Sequence, residues 1–171
     1  MDAEKFTKKS LEVIESCEKL AYEYNNQELT QAHLMYALVT VEDSLIAKLL
    51  TNMGINMDAF TGECEKLVAN RPKVSGGQLF TSPEFSKALI QAEKEAKQMG
   101  DDYISVEHIF LGLLEKADKD IKRVINAYGI TRGKFLEVLA NIRGNRKVES
   151  DNPEDTYDAL NKYGYLSLIH I

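Results

Sequence analysis

Apolar residues recur at intervals of three and four along most of the chain, and this spacing is typical of amphipathic helices. The pattern predicts eight helices, several of which begin after a residue that commonly caps a helix. Glycines at 54 and 129 are placed to end two of them. The predicted helices cover residues 7–24, 31–41, 44–52, a stretch following 56, 83–98, 105–115, 119–127 and 131–142.

One stretch of the chain occurs twice, as Leu-Thr-Gln-Ala-His-Leu-Met-Tyr-Ala-Leu at 29–38 and Ile-Ser-Val-Glu-His-Ile-Phe-Leu-Gly-Leu at 104–113. His33 and His108 are 75 positions apart, and the same offset relates matching residues from 14 to 67 without a gap. A constant offset of this length indicates one structural unit used twice. The predicted fold is therefore all-α, with two pseudo-repeated four-helix units packed into one globular domain.

Each repeated stretch has the features of a helix start. Thr30 and Ser105 are helix-capping types, and a histidine follows three residues later, where a capping box places Glu or Gln. A neutral imidazole nitrogen could accept the N–H of the cap residue in the same way. The alternative is a metal or acid–base pair, but no third ligand accompanies His33 and His108, and zinc sites use three or four.

An enzymatic role would most simply use His108 as a base together with Glu107. No nucleophile, set of metal ligands or cofactor loop accompanies this pair, so we expect no catalytic residues and no metal site. Residues 129–135 resemble a phosphate-binding loop, but one residue is missing between the glycines and no Ser or Thr follows the lysine. Gly-Gly-Gln at 76–78 matches a peptide-release tripeptide only by chance.

Composition narrows the possible partners and compartment. The chain has 171 residues, a net charge of −6 and 44% apolar residues. An acidic chain without basic clusters argues against nucleic-acid binding. No apolar run approaches the ~20 residues that span a bilayer, and no secretory signal precedes the first helix. Cys17 and Cys64 lack a paired spacing, which favours buried free thiols and a cytoplasmic location.

The ends of the repeats offer candidate surface residues. Asp101, Asp102 and Glu107 lie around one predicted helix start, where they either solvate the helix end or contact a substrate. Leu79 and Phe80 follow the polar inter-repeat loop and fit no helical period, so they either pack into the core or line a groove. Tyr103 and Phe110 present the same two alternatives.

The chain changes character after residue 144. Residues 145–151 are polar and are predicted to form a mobile linker, and residues 152–155 resemble a capped helix start. The short helix that follows has a thin apolar face and ends at Gly164. The predicted organisation is a repeat domain at 3–144, with repeats at about 6–70 and 80–144, a linker with a helix at 145–164 and a non-native tail at 165–171.

Several of these features resemble the paired repeats of the Clp ATPase N-terminal domain, most closely the ClpB-type disaggregase. The resemblance is carried by the two hydroxyl-x-x-His helix starts, the two Gly-Ile helix ends, Leu-Phe-Thr-Ser-Pro at 79–83 and the string at 152–164. It covers about residues 4–164 and does not include the apolar end at 165–171. We therefore expect a fragment that lacks the ATPase domains of its parent.

The resemblance implies a domain that sits on a hexameric ATPase ring and engages unfolded or aggregated polypeptides. The alternative that it leaves open is an adaptor-docking domain of a ClpC- or ClpA-type unfoldase coupled to a protease. ATP and magnesium are expected only in the absent ATPase domains, so this chain is expected to hold no cofactor and, when isolated, to be monomeric. Neither nucleic acid nor a membrane is an expected partner.

Site residues follow from the resemblance position by position. It implies that Thr7, Asp101 and Glu107 belong to the substrate-contact surface. In the related ClpC type, an acid before each histidine helps to bind phosphoarginine. Here only the second repeat has this acid, as Glu107, whereas the first has Ala32. This difference argues against a two-site phosphoarginine reader and favours the ClpB type.

Overall fold

The architecture is known from a computed structural model, which describes residues 2–144 and 146–153. Within these residues the chain forms eight α-helices, a short 3-10 helix at Ala3–Lys5 and one two-stranded parallel sheet. The all-α prediction is confirmed, and each of the eight helices predicted within the repeats is present within a residue or two of its predicted position. The elements are α1 Lys8–Glu23, β1 Glu28–Leu29, α2 Gln31–Thr40, α3 Leu45–Asn52, α4 Met57–Ala69, β2 Phe80–Thr81, α5 Pro83–Gln98, α6 Val106–Glu115, α7 Lys119–Ala127 and α8 Arg132–Arg143.

The order of the helices follows the sequence offset. Helices α5, α6 and α8 begin 75 residues after α1, α2 and α4, and α7 begins 74 residues after α3. The three-dimensional equivalence of the two halves stays a prediction. The predicted linker helix lies outside the described residues from 154 onward, and so does the tail at 165–171.

Side-chain caps determine where the long helices begin. The Thr7 hydroxyl accepts the Ser10 N–H at 3.1 Å and starts α1. The Ser82 hydroxyl accepts the Phe85 N–H at 3.0 Å, and Pro83 occupies the first position of α5, where its missing N–H costs nothing. Thr and Ser are both among the residue types that commonly cap a helix, so both starts agree with the capping pattern predicted from the sequence.

Helices α5 and α6 approach each other closely because α6 contains Gly112. A Cβ atom built at Gly112 would lie 2.3 Å from the carbonyl oxygen of Ala88 and 3.1 Å from the amide nitrogen of Ala92. The corresponding position in α2 is Ala37, which is buried and carries the Cβ that Gly112 lacks. The small residues on α5 and α6 therefore allow contact between the two helix backbones.

The two halves share one apolar core. Helix α2 contacts α5, α6 and α7, while α3 contacts α6 and α8. Gln31, at the start of α2, adds polar links across the halves: its amide nitrogen donates to the carbonyls of Glu84 and Lys116, and its amide oxygen accepts the Asp118 N–H. All three distances are 2.8–2.9 Å. The two halves therefore pack together, as predicted.

Both cysteines lie inside this core. Cys17 and Cys64 are buried free thiols, which confirms the prediction from their spacing. Burial raises the pKa of the Cys64 thiol to about 12 and also raises that of Cys17. No described helix is long and apolar enough to cross a membrane.

The segment after α8 packs against the domain, in contrast to the mobile linker expected from its polarity. Val148 is fully buried, its carbonyl accepts the Asp102 N–H at 2.8 Å, and its N–H donates to the Asp101 carboxylate at 3.0 Å. The Asp151 carbonyl accepts the Lys8 N–H at 2.7 Å. The buried Val148 and these three hydrogen bonds thus anchor the described part of the segment, residues 146–153.

Candidate functional site

The histidines begin α2 and α6 as helix-capping residues. The N–H of Thr30 donates to Nδ1 of His33 at 3.0 Å, and the N–H of Ser105 donates to Nδ1 of His108 at 2.8 Å. Because Nδ1 accepts these bonds, the neutral ring carries its proton on Nε2. Both imidazoles are buried. The capping interpretation is confirmed. Because Nδ1 of each ring already accepts a backbone N–H, its lone pair is not available to bind a metal ion.

The second ring nitrogen distinguishes the two halves. Nε2 of His33 lies 2.8 Å from Oδ1 of Asn26, whereas Nε2 of His108 lies 2.7 Å from Oδ2 of Asp101. The partner of Nε2 is therefore a neutral amide in the first half and a carboxylate in the second. We name the charged group, which consists of Asp101, Ser105, Glu107, His108 and Arg143, the second-repeat polar cluster.

Arg143 supplies the positive charge of the second-repeat polar cluster. Its Nη2 forms an ion pair with Oδ1 of Asp101, and its Nε donates to the carbonyl of Arg146 at 2.8 Å. Burial opposes ionisation of Asp101, but hydrogen bonds from His108, the Val148 N–H and Arg143 outweigh it and hold the pKa of Asp101 below its ordinary value. Asp101 is therefore a buried anion.

Glu107 is the less well satisfied acid of this cluster. Its side chain is fully buried, and neither carboxylate oxygen has a hydrogen-bond partner among the described residues. The nearest cation is Arg143, whose Nη1 lies 3.7 Å from Oε2. A buried carboxylate without hydrogen bonds costs free energy, which the nearby guanidinium offsets in part.

The first-half histidine gives the domain a predicted acid sensitivity. Burial, and to a lesser extent the charge of Arg71, lowers the pKa of His33 from 6.5 to about 4. Between these values the unfolded chain binds more protons than the folded chain, so stability falls as pH falls. We expect the free energy of unfolding to drop by about 2 kcal/mol between pH 7 and pH 5 from this group, as measured by urea titration.

The variant His33→Gln provides the control for this pH effect. Glutamine keeps a capping-box acceptor at the third helical position but does not titrate. Its stability should therefore change less between pH 7 and pH 5 than that of the wild-type chain. An unchanged pH dependence in His33→Gln would show that another group is responsible.

The structure separates the sequence-predicted site residues into two sets. Thr7, Asp101, Glu107 and Phe110 are buried, so in this conformation none of them presents its side chain on an open surface. Phe110 packs on Phe135, with ring centroids 4.5 Å apart, and is a core residue. A substrate-contact role for the first three stays a prediction of the resemblance. The partly or largely exposed set consists of Leu79, Phe80 and Tyr103.

An apolar groove lies beside the inter-repeat loop, around β1. Phe80 is 52% exposed although its backbone pairs with Glu28 in the sheet, and Val74 is 40% exposed. Two adjoining pockets of about 170 and 90 Å³ share Asn26, Gln27 and Val74. We name this region the inter-repeat groove. Its two pockets are also lined by Tyr22, Glu28, Thr30, Arg71, Pro72, Leu79 and Phe80.

The groove is built from parts that the sequence separates widely. Phe80 is held at its rim by the parallel pairing of β2 with β1, and the side-chain amide of Asn26 donates to the Pro72 carbonyl at 3.2 Å. The Val74 N–H donates to the carbonyl of Asn25 at 2.8 Å. These hydrogen bonds position the exposed apolar side chains where an extended apolar segment could contact them.

Comparison with known proteins identifies the family. The family model of the Clp repeat (R) N-terminal domain matches residues 5–128. The chain belongs to this family. Among its relatives, the ClpB chaperone protein of Nitratidesulfovibrio vulgaris is 41% identical over 170 residues, and that of Clostridium tetani is 40% identical over 169. Each alignment covers 96% of this chain but 20% of the relative, so the chain spans about a fifth of their length.

Solved structures show the same fold. The Hsp104 N-terminal domain from Candida albicans matches with a TM-score of 0.76 at 21% identity, covering 86% of this chain and 97% of that one. The N-terminal domain of the chaperone ClpD from Arabidopsis thaliana matches with a TM-score of 0.61 at 19% identity, covering 84% and 98%. The expected resemblance to Clp N-terminal domains is thus confirmed.

Sequence reasoning missed several residues that shape this Clp repeat domain. Arg143 and Val148 hold the second-repeat polar cluster and the segment after α8, and Tyr22 and Val74 complete the apolar rim of the groove. One signal was available for Arg143, because the corresponding residue of the first repeat is the buried Val68. Among the described residues no three His, Cys, Asp or Glu side chains converge as metal ligands would.

Proposed function

We propose that this Clp repeat domain is the substrate-binding N-terminal domain of an ATP-dependent ClpB-type disaggregase and that it engages exposed apolar segments of unfolded or aggregated proteins. The observation that carries the proposal is the inter-repeat groove, where Phe80, Val74 and Tyr22 are 52%, 40% and 66% exposed around two adjoining pockets. Exposed apolar side chains beside a concave surface are typical of a protein-binding site.

The groove supports binding and not chemistry. The acid–base pair suggested by the sequence, His108 with Glu107, does not line the groove: both side chains are fully buried, and Nδ1 of the ring already accepts a backbone N–H. We therefore propose a non-catalytic chain without a cofactor of its own. A shallow groove binds weakly, and several copies on one assembly would raise the overall affinity for a long polypeptide.

The variant Phe80→Ser tests the proposal, because Phe80 is exposed and its loss should not disturb the core. We expect the 171-residue chain to bind a permanently unfolded, reduced and alkylated protein, with amide chemical-shift changes around residues 22–30 and 72–81. Phe80→Ser should weaken binding roughly fivefold, which corresponds to losing about 1 kcal/mol of apolar burial.

The matched control is Ile90→Ser, which removes an apolar side chain of similar exposure, 50%, from a position on α5 outside the groove. This variant should bind the unfolded protein as the wild-type chain does. Equal weakening by both variants, or no binding at all, would contradict a groove-specific site. Binding of a folded partner at Phe80 without binding of the unfolded chain would instead favour the alternative, an adaptor-docking domain.

A further inference from the structure

A second concave surface lies where α8 ends against the end of α5. It is a half-open pocket of about 550 Å³, larger than either pocket of the inter-repeat groove. Its floor is apolar and is formed by Met99, Leu136, Leu139 and Ala140. Three cations also line it: Arg143 is buried, whereas Arg146 is partly exposed and Lys147 is exposed, and we call these two the cationic rim. We name it the α8 pocket.

Of the three cations that line the pocket, the two at its rim, Arg146 and Lys147, have no acidic partner among the described residues. The positive charge of Arg143 is met by Asp101 and Glu107. Nη1 of Arg146, in contrast, donates to the carbonyls of Ile142 and Arg143, both at 3.2 Å, and Nζ of Lys147 donates to the carbonyl of Met99 at 2.7 Å. These carbonyls orient the two side chains but carry no net charge, so both positive charges remain available to a ligand.

Arg146 is unusual among the five arginines of the chain in this respect. Ion pairs with carboxylates in the described part of the chain are formed by Arg71, Arg123, Arg132 and Arg143. The chain as a whole has a net charge of −6, so the rim of the α8 pocket has the opposite sign to the molecule. An apolar floor beside unpaired cations suits a ligand that combines an apolar group with a carboxylate.

We infer that the α8 pocket is a second polypeptide site, which binds a segment carrying an Asp or Glu side chain next to an apolar one. The carboxylate would meet Arg146 and Lys147, and the apolar side chain would rest on Met99 and Leu136. This inference rests on the proposed function, in that the domain binds polypeptides, but it concerns a different surface with a different preference. The proposed preference of the inter-repeat groove is for apolar segments, whereas the α8 pocket would add a preference for an acidic side chain.

Three fluorescent peptides of equal length test the inference by anisotropy with the 171-residue chain. One places Asp beside Leu, the second places Lys beside Leu, and the third places Asp among Gly and Ser. The Asp–Leu peptide should bind tightest, and raising the salt concentration from 0.05 to 0.3 M should weaken its binding because exposed charges are screened. Equal binding of the Lys–Leu peptide, or of the Asp peptide without Leu, would overturn the inference.

The variant Arg146→Gln/Lys147→Gln should weaken binding of the Asp–Leu peptide roughly fivefold, as expected for the loss of two exposed ion pairs. The control Lys19→Gln/Lys87→Gln removes the same charge from exposed positions on α1 and α5 and should change binding less than twofold. Arg146→Lys, which keeps the charge, should retain most of the binding. The inference fails if the first variant, at an unchanged unfolding midpoint, binds as the wild-type chain does.

Phe80 separates this inference from the proposed function. Phe80→Ser should leave binding of the Asp–Leu peptide unchanged, because Phe80 lies in the inter-repeat groove and not in the α8 pocket. Loss of this peptide in Phe80→Ser would assign it to the groove and overturn the inference while supporting the proposed function. If binding of the unfolded protein were lost only in Arg146→Gln/Lys147→Gln, the result would support the α8 pocket as a polypeptide site and contradict the proposed role of the inter-repeat groove.

Discussion

Replacing Gly112 with alanine is expected to lower the free energy of unfolding by about 3 kcal/mol, as measured by urea titration. The added Cβ would lie 2.3 Å from the carbonyl oxygen of Ala88, so α5 and α6 must move apart. Backbone atoms of a helix cannot turn away as the end of a side chain can. The separation also loosens the packing of Phe110 and neighbouring core residues on α6.

Gly62→Ala is the matched control for this substitution. Gly62 lies inside α4, and a Cβ built there meets nothing within 4 Å. Because alanine favours helix more than glycine does, Gly62→Ala should stabilise the domain by up to about 1 kcal/mol. Adding Ala88→Gly to Gly112→Ala should not restore stability, since the clash is with a carbonyl oxygen and not with the methyl group. A loss below about 1 kcal/mol in Gly112→Ala would contradict the close contact.

The helices could be predicted from the sequence because the signals for them are local. Caps such as Thr7 and Ser82, the closing Gly54 and the apolar spacing all act within a few residues. The capping role of His33 and His108 was predictable for the same reason, because the donor lies three residues away. Chemistry that is complete within one helical turn can be recognised without a structure.

The inter-repeat groove could be predicted only in part because its neighbours are distant in sequence. Leu79 and Phe80 were recognised as residues outside the helical period, but the pairing of β1 with β2 joins residues about 50 positions apart. Two paired residues per strand are too few to produce an alternating pattern. Tyr22 lies on the exposed side of α1, where an aromatic residue carries no signal of a groove.

The acidic candidates show how burial depends on a single distant partner. The sequence around Asp101 and Glu107 is that of a solvated helix start. In the structure, however, both side chains are buried beside Arg143, which lies at the end of α8. In the first repeat the three corresponding positions hold the uncharged residues Asn26, Ala32 and Val68. Comparing the two repeats position by position would have shown that three charges are gained together, which is typical of residues in contact.

The replacement of Arg143 by valine, the residue of the first repeat at this position, is expected to destabilise the domain by about 4 kcal/mol at pH 7. It leaves the buried carboxylates of Asp101 and Glu107 without their cation. The same change also removes the hydrogen bond from Nε to the carbonyl of Arg146. Urea titration monitored by circular dichroism measures the loss, and a variant as stable as the wild-type chain would contradict the ion pairing.

The triple variant Asp101→Asn/Glu107→Ala/Arg143→Val converts the cluster to the uncharged residues of the first repeat. We expect it to recover most of the stability that Arg143→Val loses, because replacing a buried ionic group as a whole is often neutral. Asparagine can still accept a bond from Nε2 of His108, as Asn26 does from His33 at 2.8 Å. A triple variant no more stable than Arg143→Val would show that the charges are not energetically coupled.

Comparing how the stabilities of the wild-type chain and the triple variant depend on pH then distinguishes the effect of the charge of Arg143 from that of its packing. Because the pKa of folded Asp101 lies below its ordinary value, its ionisation stabilises the wild-type chain above about pH 4. That contribution is lost as pH falls further, since protonation of Asp101 weakens its bonds to Arg143 and His108. The triple variant has no carboxylate at position 101, so its stability relative to the wild-type chain should rise between pH 5 and pH 2.5. A difference that is constant with pH would mean that Arg143 acts by filling space and not by its charge.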